Sequence, residues 1–352
     1  REVYLKSAQI NWSISFIRYV NGQRKLLGGK MGVKGKVSVI IPYVREWPQI
    51  VFTLRSIREV LKGENFEVIA VDNLQPNMQE DRSTPNVKGM ANAWKDSGDQ
   101  WIKYFHYPDK LSHWQCKNFA MKQADGEFFW FIDGHCIMPT DAVDALHFYR
   151  QRWKEMNGSL HMPLTYHIME PRQLIYKAVI DSDKGDYHYK FHTLVRREYS
   201  NNGQCIEVPA MSTCGMLIHK KFMRLLGNWP TELGIYGGGE NFINYAMAVL
   251  GMKKYVYLSD SLCHHGEKRG YSWNHYDQQR NRSIASYMFG GASLLDKFLD
   301  RTARLTHREK TTVRRSIIDT CGSHREWIKK HQVMSIEEWH KQWKPHELCI
   351  GV

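Results

Sequence analysis

The chain has 352 residues, 42% of them hydrophobic and 12% aromatic, with a formal net charge of +13. That length and apolar content exclude a disordered chain and leave room for one large α/β domain with additions, or for two domains. Apolar residues never run uninterrupted for the roughly 18 positions that a membrane-crossing helix needs, so no membrane span is expected. The charge is uneven. Residues 1–36 hold eight Lys or Arg against one acid, residues 271–352 hold fourteen against nine, and residues 37–270 are almost balanced at 27 against 26. Basic flanks around a neutral centre fit a footprint for a polyanion, and they also fit a simple solubility device. Seven cysteines (116, 136, 205, 214, 263, 321, 349) are odd in number and never spaced CxxC. They exclude a zinc ribbon or a disulfide frame and predict reduced thiols in a cytoplasm, and no signal peptide is read after Arg1.

In chain order, residues 9–27 alternate loosely around Asn21-Gly22, which predicts a β-hairpin, followed by the glycine-rich linker GGKMGVKGK. KVSVIIP (36–42) reads as a strand ending at Pro42. WPQIVFTLRSIREVLKG (47–63) carries Ile50, Leu54, Ile57 and Leu61 at helical spacing and stops at Gly63. FEVIAVDN (66–73) is a second buried strand, ending on Asp72. Strand, helix, strand within about 35 residues predicts a βαβ unit and a parallel sheet, whose ligands sit at the carboxyl ends of its strands. The polar, proline-containing stretch 74–90 reads as a loop, and KNFAMKQADGE (117–127) as a helix stopped by Gly126. FFWFI (128–132) is short and wholly apolar, as a strand covered on both faces must be, and Asp133, Gly134 and His135 follow it directly. Residues 140–156 form a helix capped by Thr140 or Asp141, while 160–230 mix strand-like pieces with many aromatics. Three glycines, 237–239, feed a helix beginning near Glu240, and a strand then leads to a polar loop with His264 and His265. The tail from 280 onward is helical by pattern. Three parts are expected: a basic hairpin and linker (1–35), a nucleotide-binding α/β domain (36–270) and a basic helical extension (271–352).

An Asp and a His two residues apart beyond a strand end can face one divalent cation, and a mixed oxygen and nitrogen set suits Mn²⁺ better than Ca²⁺. A third ligand is wanted, and His265 or His264 can supply it. The plainer alternative is that His135 is a surface histidine. Glu240 in a first helical turn is favoured by the helix dipole alone, but three glycines before it point to the close approach of a ligand. Asp72 either caps a turn or accepts a hydrogen bond from a base or ribose.

Taken together, KVSVIIP, VIAVDN, KNFAMKQADGEFFWFIDGH, YGGGEN and the histidine loop resemble a glycosyltransferase of the GT-A fold. More narrowly they resemble the polypeptide N-acetylgalactosaminyltransferases, which carry Asp-x-His and Gly-Gly-Glu-Asn motifs. The resemblance spans residues 36 to about 270. It implies a Rossmann-like, mostly parallel sheet flanked by helices, a UDP-sugar donor, and Mn²⁺ or Mg²⁺ held by Asp133, His135 and His265, with His264 as the alternative third ligand. Pro42, Tyr43 and Asp72 would line the base and ribose site. Lys117-Asn118 stands where family-2 enzymes carry Arg-Asn near the phosphates. Glu240 and Asn241 would face the sugar and the acceptor, with Glu240 a general base in an inverting enzyme. The tail differs from the family's lectin domain: it lacks the repeated Gln-x-Trp pattern and is basic and helical. No tryptophan directly precedes the glycines, and Tyr236 stands there instead.

A basic, cytoplasmic transferase without that lectin domain invites DNA as its acceptor, with a hydroxymethyl-pyrimidine supplying the hydroxyl that ordinary bases lack. This reading expects a bacteriophage enzyme that flips the base out, with basic flanks on phosphates and Trp114, Trp229, Tyr236 or Trp273 stacking on the base. A protein or cell-surface glycan acceptor is the first rival, and a non-catalytic nucleic-acid binder on a decayed transferase fold is the second.

Overall fold

The computed structural model describes residues 33–351 apart from 97–100, 168–171, 196–202, 265–269 and 344–346. The expected hairpin at 9–27 and residue His265 lie outside the described residues. Strand β1 (Val33–Tyr43) begins inside the expected linker, with its register shifting between Val33 and Val37, where Gly35 takes a positive φ. It leads through α1 (Gln49–Val60) to β2 (Phe66–Asp72), α2 (Ser83–Asp96), β3 (Ile102–His106), α3 (His113–Gln123) and β4 (Gly126–Phe131). β1 pairs in parallel with both β2 and β4, and β2 with β3. The βαβ reading therefore holds, and the carboxyl ends of β1, β2 and β4 lie side by side. The other half of the sheet is built from β6 (Gly158–His161), β10 (Cys205–Glu207), β11 (Met216–His219) and β12 (Lys253–Tyr257). The full strand order is β10-β12-β6-β11-β4-β1-β2-β3, in which β11 runs antiparallel to β4 and β6. The result is a mixed but mostly parallel sheet with flanking helices, as expected.

The run from Phe128 to Ile132, in β4 and at its exit, shows why it has no polar residue. Phe129 and Phe131 enter one hydrophobic core while Phe128, Trp130 and Ile132 enter the other, on the opposite face of the sheet. Asp133 is the first position at which the chain can be polar.

A smaller sheet stands beside the main one. It contains β5 (Cys136–Ile137), β7 (Leu164–Thr165), β8 (Leu174–Asp181), β9 (Asp186–Thr193), β13 (Leu262–His264) and β14 (Cys349–Gly351). β8 and β9 form the hairpin hidden in the undecided stretch 160–230. The main sheet is flanked by α4 (Ala142–Met156), whose Leu146 and Tyr149 enter one core, and by α5 (Lys220–Leu226) and α6 (Gly239–Val249), whose Phe222 and Phe242 enter the other. The tail supplies α7 (His275–Arg301), α8 (His307–His331) and α9 (Ile336–Trp343). The tail is helical as expected, but it ends as a strand on β8, and Leu295, Val313, Ile317, Trp339 and Cys349 share a core with Ile40 and Phe131. One expectation fails. The stretch 74–90 is not all loop, because α2 begins at Ser83. Pro85 falls in the first turn, where its missing N–H is not needed, and the Asp81 side chain accepts from Ser83 N at 2.8 Å.

At the amino end of the strands, the fully buried Glu67 accepts from Ser38 Oγ (2.6 Å) and Asp125 N (2.7 Å) and pairs with Lys103 (2.7 Å) and Lys36 (3.2 Å). Burial alone would raise this carboxyl, but Lys103, Ser38, Asp125 and Lys36 hold it below its ordinary value. Its stabilisation is therefore complete above the unfolded glutamate pKa of about 4.3 and is lost as pH falls through the lower folded value. Glu67→Gln is expected to lower unfolding free energy by roughly 2–4 kcal/mol at neutral pH. Denaturant titrations should show the gap to wild type closing as the pH is lowered through the acid range.

Candidate active site

The Asp133-Gly134-His135 turn is held from α1. Thr53 donates its hydroxyl to the carbonyl oxygen of Gly134 (3.0 Å) and accepts from the amide of Cys136 (2.9 Å). β5 then pairs antiparallel with β13, setting Cys136 opposite His264. That register brings His264 to the turn from 129 residues away: His135 Nε2 and His264 Nε2 stand 2.9 Å apart, and His264 Nε2 lies 3.4 Å from Asp133 Oδ2. One donor atom from each of Asp133, His135 and His264 lies within 4.8 Å of the other two. Separations of about 3 Å suit donors around one cation at about 2.0–2.2 Å from each. His135 Nδ1 faces Glu46 Oε2 at 3.3 Å, on the side of the ring away from His264, where a carboxylate could orient the imidazole. Burial lowers the His264 pKa against the pull of Asp133, which favours the neutral, ligating imidazole. The donor set fits a divalent transition metal. Among the described residues the third donor is His264, the alternative of the pair.

Behind Asp133 sits Lys117 of α3, 1% exposed. Its Nζ is 3.8 Å from Asp133 Oδ1, donates to Thr213 Oγ1 at 3.2 Å, and lies 4.8 Å from the centre of the Trp114 ring. Thr213 in turn donates to Glu240 Oε1 at 3.0 Å. Burial would raise the Asp133 carboxyl, but Lys117 and then His264 hold it well below the carboxylate range. For Glu240 burial wins, and its carboxyl is raised despite Lys117 and Thr213. Two carboxylates around one ammonium are thus set apart, one firmly ionised and the other easier to protonate.

Glu240 is placed by its glycines. Gly237 and Gly238 take positive φ, and a Cβ on Gly239 would lie 2.3 Å from the Trp114 ring. A Cβ on Gly134 would likewise lie 2.1 Å from Glu46 Oε2 and 2.9 Å from Tyr43 Cβ. The close approach expected at these glycines is made by the protein's own side chains. Asn244, one turn after Glu240, accepts from Met211 N and donates to Met211 O, which ties the Thr213 loop to α6.

Two cavities meet at the cluster. The larger, about 1210 Å³, is lined by Pro42, Tyr43, Glu46, Asn73, Asp81 and Trp273 together with Asp133, His135 and His264. The smaller, about 320 Å³, shares Asp133, Tyr166 and His264 and adds Lys117, Glu240, Asn241 and a largely aromatic wall. Pro42 and Tyr43 thus line the larger cavity, and Glu240 and Asn241 the smaller. Asp72 is buried, with its carboxylate accepting from Leu74 N, Thr84 and Tyr104, and its neighbour Asn73 reaches the cavity instead. Asn118 bonds both ways to the Trp229 backbone and lines neither cavity. Trp229 is core, packed edge-on to Phe131; Trp114 walls the smaller cavity; Tyr236 and Trp273 stack 4.0 Å apart at the mouth. Sequence reading did not single out Glu46, Thr213 or Tyr166. Glu46 alone carried a signal, as an acid just beyond the carboxyl end of a strand.

Residues 38–149 match the sequence profile of the family described as Glycosyl transferase family 2. Among solved structures, GalNAc-T7 with UDP, GalNAc and Mn²⁺ superposes with a TM-score of 0.63 at 14% identity over 89% of this chain. The chain spans 58% of that protein's length. Residues 1–349 of Staphylococcus aureus TarS in complex with UDP-GlcNAc give a TM-score of 0.49 at 14% identity, covering 87% of this chain and 92% of that one. No curated protein sequence matches. The superposition on GalNAc-T7 establishes the GT-A fold.

Replacing Lys117 with Met removes the one ammonium between Asp133 and Glu240. Both carboxyls are expected to titrate at higher pH than in the wild type, as read by ¹³C NMR of labelled carboxyl groups. Titrations that do not move would show that the ammonium does not set the two charges apart.

Proposed function

We propose that this chain, a glycosyltransferase carrying a family 2 domain on the GT-A fold, moves a sugar from a UDP-sugar to a hydroxyl acceptor with a divalent cation, Mn²⁺ or Mg²⁺. We propose further that the acceptor is a hydroxymethyl-pyrimidine base in DNA, as in a bacteriophage that modifies its own genome. The observation that carries the reading is the convergence of Asp133, His135 and His264 in the larger cavity, with Asp133 and His264 also lining the smaller one beside Glu240.

Asp133, His135 and His264 would hold the cation, which when bound offsets the negative charge gathering on the departing UDP. The larger cavity has room for the nucleotide, with Pro42, Tyr43 and Asn73 near the base and ribose. Lys117 keeps Asp133 ionised, so the ligand set does not lose its carboxylate at neutral pH. Glu240 receives the hydrogen bond of the acceptor hydroxyl. In an inverting transfer it takes that proton, and its raised pKa brings it closer to the hydroxyl it must serve. In a retaining transfer it orients the hydroxyl and stabilises positive charge on the sugar ring.

DNA as the acceptor is supported by the charge of the tail. α8 carries seven Lys or Arg against three acids, and Arg301, Arg308, Arg315 and Lys330 are exposed on the tail helices. A base inside a duplex cannot reach a cluster at strand ends, so it must be extruded.

The test is UDP release from a panel of UDP-sugars with Mn²⁺, with and without hydroxymethyl-pyrimidine DNA. Release that needs one sugar and rises with that DNA is expected. Asp133→Ala, His135→Ala and His264→Ala should each cut it at least about a hundredfold. The two histidine variants should show little change in melting temperature and Asp133→Ala a lower one, because Lys117 loses its carboxylate partner. Near-normal turnover in all three variants would overturn the metal site. Release indifferent to DNA at every salt concentration would overturn the acceptor and point to a protein or glycan instead.

A further inference from the structure

The smaller cavity is bounded on one side by the tail. Gln278 and Arg282 stand one turn apart on α7, on the same helical face, and both line it. Opposite them, Tyr176 and Tyr189 of the β8–β9 hairpin stack 4.3 Å apart and nearly parallel, and Tyr236 completes that part of the wall. Of the two full cations among the described lining residues, Lys117 is engaged by Asp133 and Thr213. Arg282 lies on the acceptor side, away from that network.

Its pairing is half made. Arg282 Nη2 donates to Asp186 Oδ2 of β9, and His188 Nδ1 lies 3.3 Å from the same oxygen. Arg282 Nε and Asp186 Oδ1 are both buried and have no hydrogen-bond partner among the described residues. A guanidinium and a carboxylate with this much freedom ordinarily form two parallel bonds, and buried polar atoms left open call for an explanation. A planar fork with unfilled donor capacity, set against aromatic walls beside the acceptor-facing Glu240, is suited to an oxyanion rather than to a neutral hydroxyl.

We propose that Arg282 binds a backbone phosphate of the acceptor strand, next to the nucleotide whose hydroxyl Glu240 receives. The tail then contributes a specificity-determining residue to the active site. This rests on the DNA reading above. A carboxylate on an acidic donor sugar would present the same chemistry to Arg282, so the experiment separates the two sources.

The full-length chain is assayed with a hydroxymethyl-pyrimidine oligonucleotide and with the matching free nucleoside, which has no phosphate. Arg282→Met should lower kcat/KM for the oligonucleotide relative to the nucleoside by about ten- to hundredfold, the value of a charged hydrogen bond. Asp186→Asn should act in the opposite direction, because it releases the guanidinium: a lower KM for the oligonucleotide and a steeper dependence on salt are expected. An equal loss on both acceptors, or a parallel loss in both variants, would mean that the pair only supports the fold and would overturn the inference. So would an Arg282→Met enzyme whose defect is confined to UDP-glucuronate as donor, since the oxyanion then belongs to the sugar. Wild-type transfer to neither acceptor would overturn the DNA reading, and the inference with it. Wild-type transfer with no effect of Arg282→Met would overturn the inference alone.

Discussion

A lysine ammonium with no access to water has to be met by anions and dipoles held in place, and Lys117 imposes that demand on the centre of this protein. Its Nζ lies 4.8 Å from the centre of the Trp114 ring and 5.9 Å from those of Phe131 and Trp229, which attract it but cannot neutralise it. Asp133 and the Thr213–Glu240 pair supply what is missing. These groups come from the end of β4, the loop before β11 and the first turn of α6. One buried charge therefore ties three distant segments to α3. The surrounding choices follow from it: glycine at 239 so that Trp114 can lie against α6, and Asn244 to hold the Thr213 loop at its proper height.

The parts of this arrangement that follow from local periodicity were legible in the sequence. β4 reads as buried on both faces because every residue from Phe128 to Ile132 is apolar, and its exit at Asp133 is then forced. The βαβ unit and the Glu240 helix are equally plain. What could not be read is what depends on pairing between segments far apart. Choosing between His264 and His265 requires the register of two strands only two and three residues long. A polar stretch containing Pro85 looks like a loop unless one knows that the proline falls in a first turn. Asn118 and Asp72 sit at motif positions, yet their polar atoms are engaged by the Trp229 backbone and by Thr84 and Tyr104. Side-chain chemistry was visible; the neighbours that occupy it were not.

The tail is where composition and packing tell different stories. Its charge marks it as an addition, but its apolar residues are part of the same core as β1 and β4. α7 supplies Asn281, which accepts from Gly234 N and donates to the Tyr236 carbonyl, so the glycine-rich segment before Glu240 is braced by the extension. α9 packs on α6, with Trp339 edge-on to Tyr245, whose hydroxyl bonds to the backbone of both β8 and β9. Removing such a segment would unseat the helix that carries Glu240 along with the basic surface.

The charges around the cluster have a consequence for the ligand they would hold. Lys117 offsets the charge of Asp133, burial lowers the His264 pKa, and burial eases protonation of Glu240. Lys117 thus removes the Asp133 charge from the balance and leaves Glu46, beside His135, as a further carboxylate at the cluster, so on the proposed metal reading much of a bound cation's charge would be directed to a diphosphate. Had Lys117 been neutral, Asp133 would offset part of that charge. Had it been exposed, water would screen its pull on both carboxylates. On the proposed metal reading, the burial of the lysine, costly in isolation, lets Asp133 stay ionised while its charge is offset from within the protein.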